Sequence, residues 1–516
     1  MCPQSRGGSA FAICVTRALA RNLCNHSVCM TTTSSVAASS HLAEEHGLKR
    51  QIGLTDLVLA QVLCVVGSSW VGVAAVLGRA QGLTWVAAML LFYFPMAAVV
   101  VLLNRIMPLE GGLYVWAHHA FGDLGGFLTA WNLWFYGVSI AVAILYATPT
   151  ELAYMIGPRA AWLPENQAAS LGIVAVIVTL IAVAAIYGLE LGKWIHDVGG
   201  AAMIALFVGL ILLPAWALLQ NHLGHTIETQ GMGLAVALPP RNLRSLALFG
   251  QMLVGALSGL EYIAIFAGES RQPERNITRS IWIASPLICA MFILGTSSVV
   301  TFARPGDRID LIAPIPQTLR IALGNSGIGN VVVIIAVVLL ELRLLGAASY
   351  IFSGVTRLPM TVGWDNLLPQ WFTRLHPQRK TPVNSILFTF GLMLALLVMA
   401  SAGVHAQEAY QVLSNASLTH YELMYMAMFA IPLLGAARLR QMLPVWLKWA
   451  SLAGFCASFF SLMISIYPFV DVVNPLEYGA KIAGTVLISN AVAVMFYTLR
   501  KRQIAAGSRV MPTGSG

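Results

Sequence analysis

Charge is scarce in this sequence. Asp, Glu, Lys and Arg make up 10% of the 516 residues, against 58% hydrophobic residues and a mean hydropathy of +0.76. A soluble globular domain carries about 25% charged residues, so water is excluded as the main solvent of the chain. Long polar stretches are scarce too. Between the apolar runs the longest loops are 221–244, 304–326 and 359–382, each too short to bury a core of its own. With no soluble domain between the runs, function must lie in the membrane part.

Several chemical signatures are missing as well. The seven cysteines, at 2, 14, 24, 29, 64, 289 and 456, show no C-x-x-C metal-ligand spacing. Four of them lie in the N-terminal tail, where a redox or metal cluster is the alternative reading. The phosphate-cradling loop of ATP-driven machines is absent, as are paired metal motifs. His118 and Asp123 have the His, four residues, Asp spacing of some acyltransferases, but no second acyl-transfer motif accompanies them. Neither enzyme activity nor a cofactor is expected.

What is present is a dozen apolar runs, each near the roughly 20 residues of helix that cross the hydrocarbon core. They cover 54–78, 83–106, 124–149, 168–187, 197–219, 245–268, 280–303, 327–358, 383–401, 407–434, 446–468 and 478–499. They lack the period-2 alternation of barrel strands and are about twice as long, so the expected class is an all-α integral membrane protein of about 12 helices. With the N-terminus inside, 21 Lys and Arg fall on the cytoplasmic side, 8 outside, and Arg343 alone within a span. That asymmetry places both termini in the cytoplasm of a multi-pass cell (plasma or inner) membrane protein. The net charge of +9 then reads as contact with anionic lipid; nucleic acid is not implied. Residues 1–46 read as a disordered tail, with the true start at Met30 or a secretory signal (Arg6, Ala18-Leu19-Ala20, interrupted by Arg17) as alternatives.

Two spans carry small polar clusters about midway along. The first reads VVGSSWVGVAA, with Gly67, Ser68, Ser69 and Gly72; the sixth reads VGALSGLEYIA, with Gly255, Ser258, Gly259 and Glu261. Small residues also allow close helix packing. Their matched positions, five spans apart, point instead to paired broken helices, as in transporters built from inverted repeats. A broken helix exposes N–H and C=O groups at the midplane, where they bind carboxylate, ammonium or cation.

Three loop segments carry a family resemblance. After the second span come Pro108, Gly111, Gly112, Tyr114, Phe121 and Gly122. After the sixth-span cluster of Ser258, Gly259 and Glu261 come Glu269, Pro273, Arg275, Asn276 and Arg279. After the eighth come Arg357, Asp365, Leu368, Pro369, Phe372, Thr381 and Pro382. In this order they resemble the signatures of the amino acid, polyamine and organocation (APC) transporter family, from about residue 54 to 382, with weaker similarity to the end of the twelfth span. The first-span break departs from the family's Gly-Ser-Gly-Ile, reading Gly67, Ser68, Ser69, Trp70; Thr278 and Asn366 replace a usual Pro and Gly.

The resemblance implies a LeuT-type fold within a single domain at 47–502. Repeat one would span 54–219, repeat two 245–434, and two extra helices 446–499, before a cytoplasmic tail at 503–516. It implies a secondary carrier of amino acids, by symport or exchange, with the substrate between the broken first and sixth spans. A polyamine or other amine lacking a carboxylate is the alternative that Trp70 suits, and a transporter-like sensor is another.

The candidate substrate-binding residues are Gly67, Ser68, Ser69, Trp70, Ser258, Gly259, Glu261 and Trp134. Candidates for coupling or gating are Glu261, Glu341, Ser349 and Ser353. A carboxylate near the bilayer centre is functional by default; Glu261 is expected to neutralise an ammonium, carry a coupling proton or gate, with a hydrogen bond to the broken backbone as the structural alternative. Trp131, Trp134 and Tyr136 offer stacking on an ammonium or plain packing. Glu341 and Arg343 lie two apart, about 200° around an ideal helix, so they do not pair. Ser349 and Ser353 offer hydroxyls to a sodium site with span-one carbonyls. Span five carries no lysine in its apolar part, only Lys193, His196 and Asp197 before it, which leaves proton and sodium both open as coupling ion. Asp56, Gln61, His420 and Glu422 are weaker candidates near interfaces.

Overall fold

The computed structural model describes residues 52–107, 112–219, 237–303, 308–324, 327–360, 367–368, 370–379, 381–401, 406–467 and 474–508. The tail at 1–46 and signature residues Pro108, Gly111, Asp365 and Pro369 lie outside them, as does Asn366. Every regular element among the described residues is helical, apart from one parallel bridge between Ile52 and Ser270. This is an all-α membrane fold, because a helix satisfies all its backbone polar groups internally where lipid offers none.

Helices occupy all twelve expected stretches. The first is Leu54–Val65 followed by Ser68–Ala75, and the second runs as consecutive helical pieces over Gly78–Ile106. The third extends past its expected end, from Leu113 through a tight turn at Ile144–Tyr146 to Ile156. The fourth to eighth are Gln167–Tyr187, Leu189–Leu219, Leu243–Glu269 in pieces, Pro273–Phe302 and Ile328–Arg357. The ninth to twelfth are Val383–Ser401, Ala406–Leu434, Val445–Ser465 and Pro475–Ser508. Among the described residues nine helices are long and apolar enough to cross a membrane, or ten with the bent first pair counted as one span. The ninth is a shorter apolar helix, and the tenth is long but carries the polar run Gln411 to Glu422.

Small residues set how closely the spans cross. A Cβ at Gly200 of span five would lie 2.7 Å from the Leu59 carbonyl of span one, and one at Gly199 3.2 Å from Gly346 Cα of span eight. Spans one, five and eight therefore pack backbone against backbone, the contact that small residues permit in lipid. Tyr262 of span six is wedged the same way: a Cβ at Gly137 would meet its hydroxyl at 2.5 Å, and one at Gly354 its ring at 2.6 Å. Gly112, at φ +42°, lays the start of span three on Ala264 of span six, where a Cβ would come within 2.7 Å of Ala264 Cβ. Only glycine accepts both that angle and that contact.

Polar pairs fasten span twelve to the bundle. The Asn132 and Asn490 amides donate to each other at 2.8 and 3.2 Å. His420 and Ser489 are 2.6 Å apart, and Asn415 donates to the Tyr478 hydroxyl. The loop between spans seven and eight holds a helix of its own, Pro314–Leu323, which covers the second half of span one: a Cβ at Gly72 would sit 3.1 Å from Pro314.

Candidate functional site

Span one breaks where its sequence stops favouring helix. Glycine loses the most backbone freedom in a helix, and serine competes for backbone hydrogen bonds. Val66 and Gly67 are extended, at φ/ψ of −81°/112° and −114°/137°, and the flanking helices meet at 45°. The first amides after the break and the last carbonyls before it lose their helical partners.

Span six breaks at the matching place. A widened turn over Gln251–Ala256 ends at Leu257, Gly259 takes a left-handed φ of +108°, and a tighter helix resumes over Leu260–Glu269. The Gly259 amide donates to the Tyr425 hydroxyl at 3.0 Å. The two breaks touch, because a Cβ at Gly259 would lie 3.4 Å from Cys64 Cβ and 3.5 Å from its carbonyl oxygen.

Trp70 bridges the same gap. A Cβ at Gly67 would come 2.7 Å from its indole Cδ1, and one at Gly255 2.6 Å from its Cη2. The indole is folded back over the span-one break with its far edge on span six. On its other side a small cleft is lined by Ser69, Gln251, Gln411, Ser414 and Asn415, with Leu311 and Ile312 of the loop helix approach. Amide groups dominate its polar wall; Gln251 donates to Asn415 at 3.2 Å.

An acidic and a basic side chain flank the breaks. Glu261, buried in the first turn of resumed span six, accepts the Tyr421 hydroxyl and, at 2.5 Å, the Tyr425 hydroxyl. Both tyrosines come from one face of span ten, four residues apart. Tyr425 receives the Gly259 amide while donating to Glu261, so one hydroxyl ties the break to the carboxylate. Tyr136 of span three stacks on Tyr421, ring centroids 3.5 Å apart. On the span-one side, a guanidinium nitrogen of Arg343 lies 3.6 Å from where a Cβ at Gly67 would be.

The expected site residues therefore divide into groups. Gly67, Ser68, Ser69, Trp70, Ser258, Gly259 and Glu261 come together at the paired breaks. Trp134 sits elsewhere, its ring beside Trp131 and stacked with Phe388 of span nine at 6.4 Å; Tyr136, two residues on, is the span-three aromatic that reaches the site. Glu341 faces span three, accepting from Thr148 Oγ1 at 3.0 Å, so it and Arg343 do point to different neighbours.

Ser349 and Ser353 lie nearer the end of the bundle where span one begins. The Ser349 hydroxyl is 3.3 Å from His196 Nε2 of span five, and the Ser353 carbonyl accepts from Arg357 at 3.0 Å. That end is fastened by ion pairs of Lys193 with Asp56 at 2.8 Å and of Arg357 with Glu269 at 2.9 Å. The Ile52 amide donates to the Glu269 carbonyl, and the Arg271 amide to Ile52. Of the weaker candidates, Gln61 donates to Ser280 at 2.7 Å, Glu422 accepts from Ser461 at 2.5 Å, and His420 bonds Ser489 and the Ala416 carbonyl. His118 and Asp123 form an exposed pair at 2.9 Å that Lys501 joins.

Tyr421, Tyr425, Gln251 and Asn415 were not among the expected site residues. The signal for Tyr421, Tyr425 and Asn415 in the sequence is a polar tenth span that carries two tyrosines at helical spacing. Glu151 was missed too, falling just beyond the expected end of span three.

A sequence model described as amino acid permease matches residues 52–499. An uncharacterised transporter of Legionella pneumophila is 26% identical over 386 residues, 74% of this chain and 80% of its own length. A probable agmatine/putrescine antiporter of Lactococcus lactis is 22% identical over 383 residues, covering 74% and 78%. A branched-chain amino acid permease of Bacillus subtilis is 24% identical over 369 residues, covering 68% and 75%.

Proposed function

The chain belongs to the amino acid permease family, a family of multi-pass membrane transporters, and from that premise we propose that it carries a zwitterionic amino acid by alternating access around the paired breaks of spans one and six. One observation carries this reading: the breaks meet with Arg343 beside Gly67 on one side and Glu261 on the other. A zwitterion presents the complementary charges. Its carboxylate suits the freed amides of Gly67 to Trp70, at the positive end of a helix dipole, with Arg343 nearby. Its ammonium suits the Glu261 carboxylate and the faces of Tyr136 and Tyr421. Trp70 lies over the span-one amides, so it must swing aside to admit the carboxylate.

In this reading both termini are cytoplasmic, and the Ile52–Ser270 end is the inner side, shut by the Asp56–Lys193 and Glu269–Arg357 pairs. The cleft beside Trp70 then opens from the outer side. A proton or sodium gradient, or exchange, drives the cycle. A sodium ion at Ser349 and Ser353 has to displace the His196 contact.

A second reading follows from Trp70 itself. Its indole occupies the space where a carboxylate would meet the span-one amides, which suits an amine without one, and a similar protein is named as a probable agmatine/putrescine antiporter. Uptake of labelled leucine and labelled putrescine into proteoliposomes separates the two. Leucine flux supports the amino acid reading, putrescine flux alone replaces it, and binding of either by thermal shift without flux makes the protein a sensor.

A further inference from the structure

Glu151 is fully buried at the far end of span three, at 0% exposure, and neither of its carboxyl oxygens has a hydrogen-bond partner. An ionised carboxylate in that position has lost its water and gained no donor, a loss that folded proteins avoid. A protonated carboxyl is neutral and has a hydrogen to give, so what it requires is an acceptor.

Span eight brings Glu341 to the same face of span three. Thr148 lies three residues before Glu151 on the same helix, hence on the same face, and its hydroxyl is bonded to Glu341 Oε2 at 3.0 Å. Glu341 thus faces the surface of span three that bears Glu151, and its Oε1 has no partner. We propose that Glu151 and Glu341 form a proton-binding site between the end of span three and the middle of span eight, with the proton resting on the buried, unpartnered Glu151.

The surrounding charges fit this assignment. Asp310 is committed elsewhere, accepting the Ile312 and Ala313 amides at 2.9 and 3.0 Å and the Tyr154 hydroxyl at 3.0 Å. Arg320 of the loop helix donates to the Tyr154 carbonyl at 2.8 Å. Arg159 follows in the short turn after this helix, and Gln167–Tyr187 of span four brings no carboxylate, lysine or arginine. Arg343, two residues after Glu341 on span eight, has a guanidinium nitrogen beside the span-one break, 3.6 Å from where a Cβ at Gly67 would be.

Arg343 makes the proton responsive to transport. If span one moves against span eight, the guanidinium shifts between the break and the carboxyl pair. Nearer the pair it expels the proton; nearer the break it leaves the proton in place. Proton binding and the conformation of the breaks are then linked, each biasing the other. This coupling role rests on the carrier reading; the protonation itself does not.

Infrared difference spectra of the full chain in lipid nanodiscs, recorded from acid to alkaline pH in H2O and D2O, test the site with the proton as probe. The wild type should show at neutral pH a protonated-carboxyl C=O stretch that shifts down in D2O. Glu151→Gln should remove it, and Glu341→Gln should move the pH at which it disappears. The spectral difference between wild type and Glu151→Gln separates this band from any due to Glu261 or Glu422. Identical carboxyl regions in wild type and Glu151→Gln overturn the proposal. If Glu151→Gln does not yield monodisperse protein, Glu341→Gln decides alone, and an unchanged band overturns it. Uptake of leucine and putrescine across pH reads the coupling: Glu151→Gln should flatten the profile of whichever is carried. Should the wild type carry neither, the band still stands, and the carrier reading is what fails.

Discussion

Gly259 rests on Cys64. The left-handed turn of span six lies against the last residues of span one before its own break, with 3.4 Å from Cys64 Cβ to the place a side chain at Gly259 would start. The two interruptions therefore share one surface, and any motion of span one relative to span six slides or parts this contact.

Gly259→Ala tests that turn. The space beside Cys64 tolerates a methyl at ordinary contact distance, so the cost comes from φ of +108°, about 1–2 kcal/mol for a residue with a Cβ. The variant should insert and fold, melt at a lower temperature, and transport more slowly. Thermal unfolding equal to the wild type would mean that the turn is not left-handed.

Trp70 and Gly255 should show coupled effects. Gly255→Ala drives a methyl into the indole, whose Cη2 stands 2.6 Å from the new atom, so the ring must leave its place between the spans. Trp70→Leu removes the obstruction, and the pair of substitutions should cost less than the sum of the two single ones, by about 0.5–3 kcal/mol as contacting residues show. Substrate affinity by thermal shift and unfolding midpoints complete the cycle. Strict additivity would place the indole elsewhere.

The helical frame was legible in the sequence because lipid enforces it: a run of apolar residues of membrane-crossing length has no other way to satisfy its backbone. The breaks were legible for the opposite reason, since Gly67-Ser68-Ser69 and Ser258-Gly259 interrupt those runs where nothing but function or close packing calls for them. Glu261 stood out as a charge in the middle of a span. Less visible was what surrounds it. Tyr421 and Tyr425 lie in a span whose polarity hid its role, and a tyrosine pair at helical spacing is commoner in packing than around a carboxylate. Trp134 had the right chemistry, but a helix turn of about 100° per residue decides which of Trp134 and Tyr136 faces the site, and that rotation needs the neighbouring helices. Glu151 escaped because span three continues through a tight turn beyond the point where its apolar run ends.

The Glu261 cluster predicts an ordered series. Tyr421→Phe and Tyr425→Phe each remove one donor from a buried carboxylate, at about 1–3 kcal/mol each, and Tyr425→Phe also strips the Gly259 amide of its acceptor. Tyr425→Phe should therefore be the more destabilising of the two. Glu261→Gln keeps a polar partner for both hydroxyls, so it should fold well while net transport, or its pH dependence, falls. Unchanged uptake across pH in Glu261→Gln would remove this residue from the mechanism.

At the opposite end, Glu269 and Arg357 hold spans six and eight together at 2.9 Å, with side chains 4% and 17% exposed. The same Glu269 receives the Ile52 amide through its carbonyl, so the pair also fixes the start of span one. Arg357→Ala strands a buried carboxylate and should cost about 3–5 kcal/mol, more than replacing both partners by apolar residues. If the pair keeps this end shut, the doubly replaced protein spends more time open there. Cys64, just before the span-one break, reports the difference once the other six cysteines are replaced. A small polar thiol reagent applied from the Ile52 side should label Cys64 faster in the Glu269→Leu, Arg357→Leu protein than in its parent. Equal rates, in proteins of equal monodispersity, would show that the ion pair stabilises the fold without gating it.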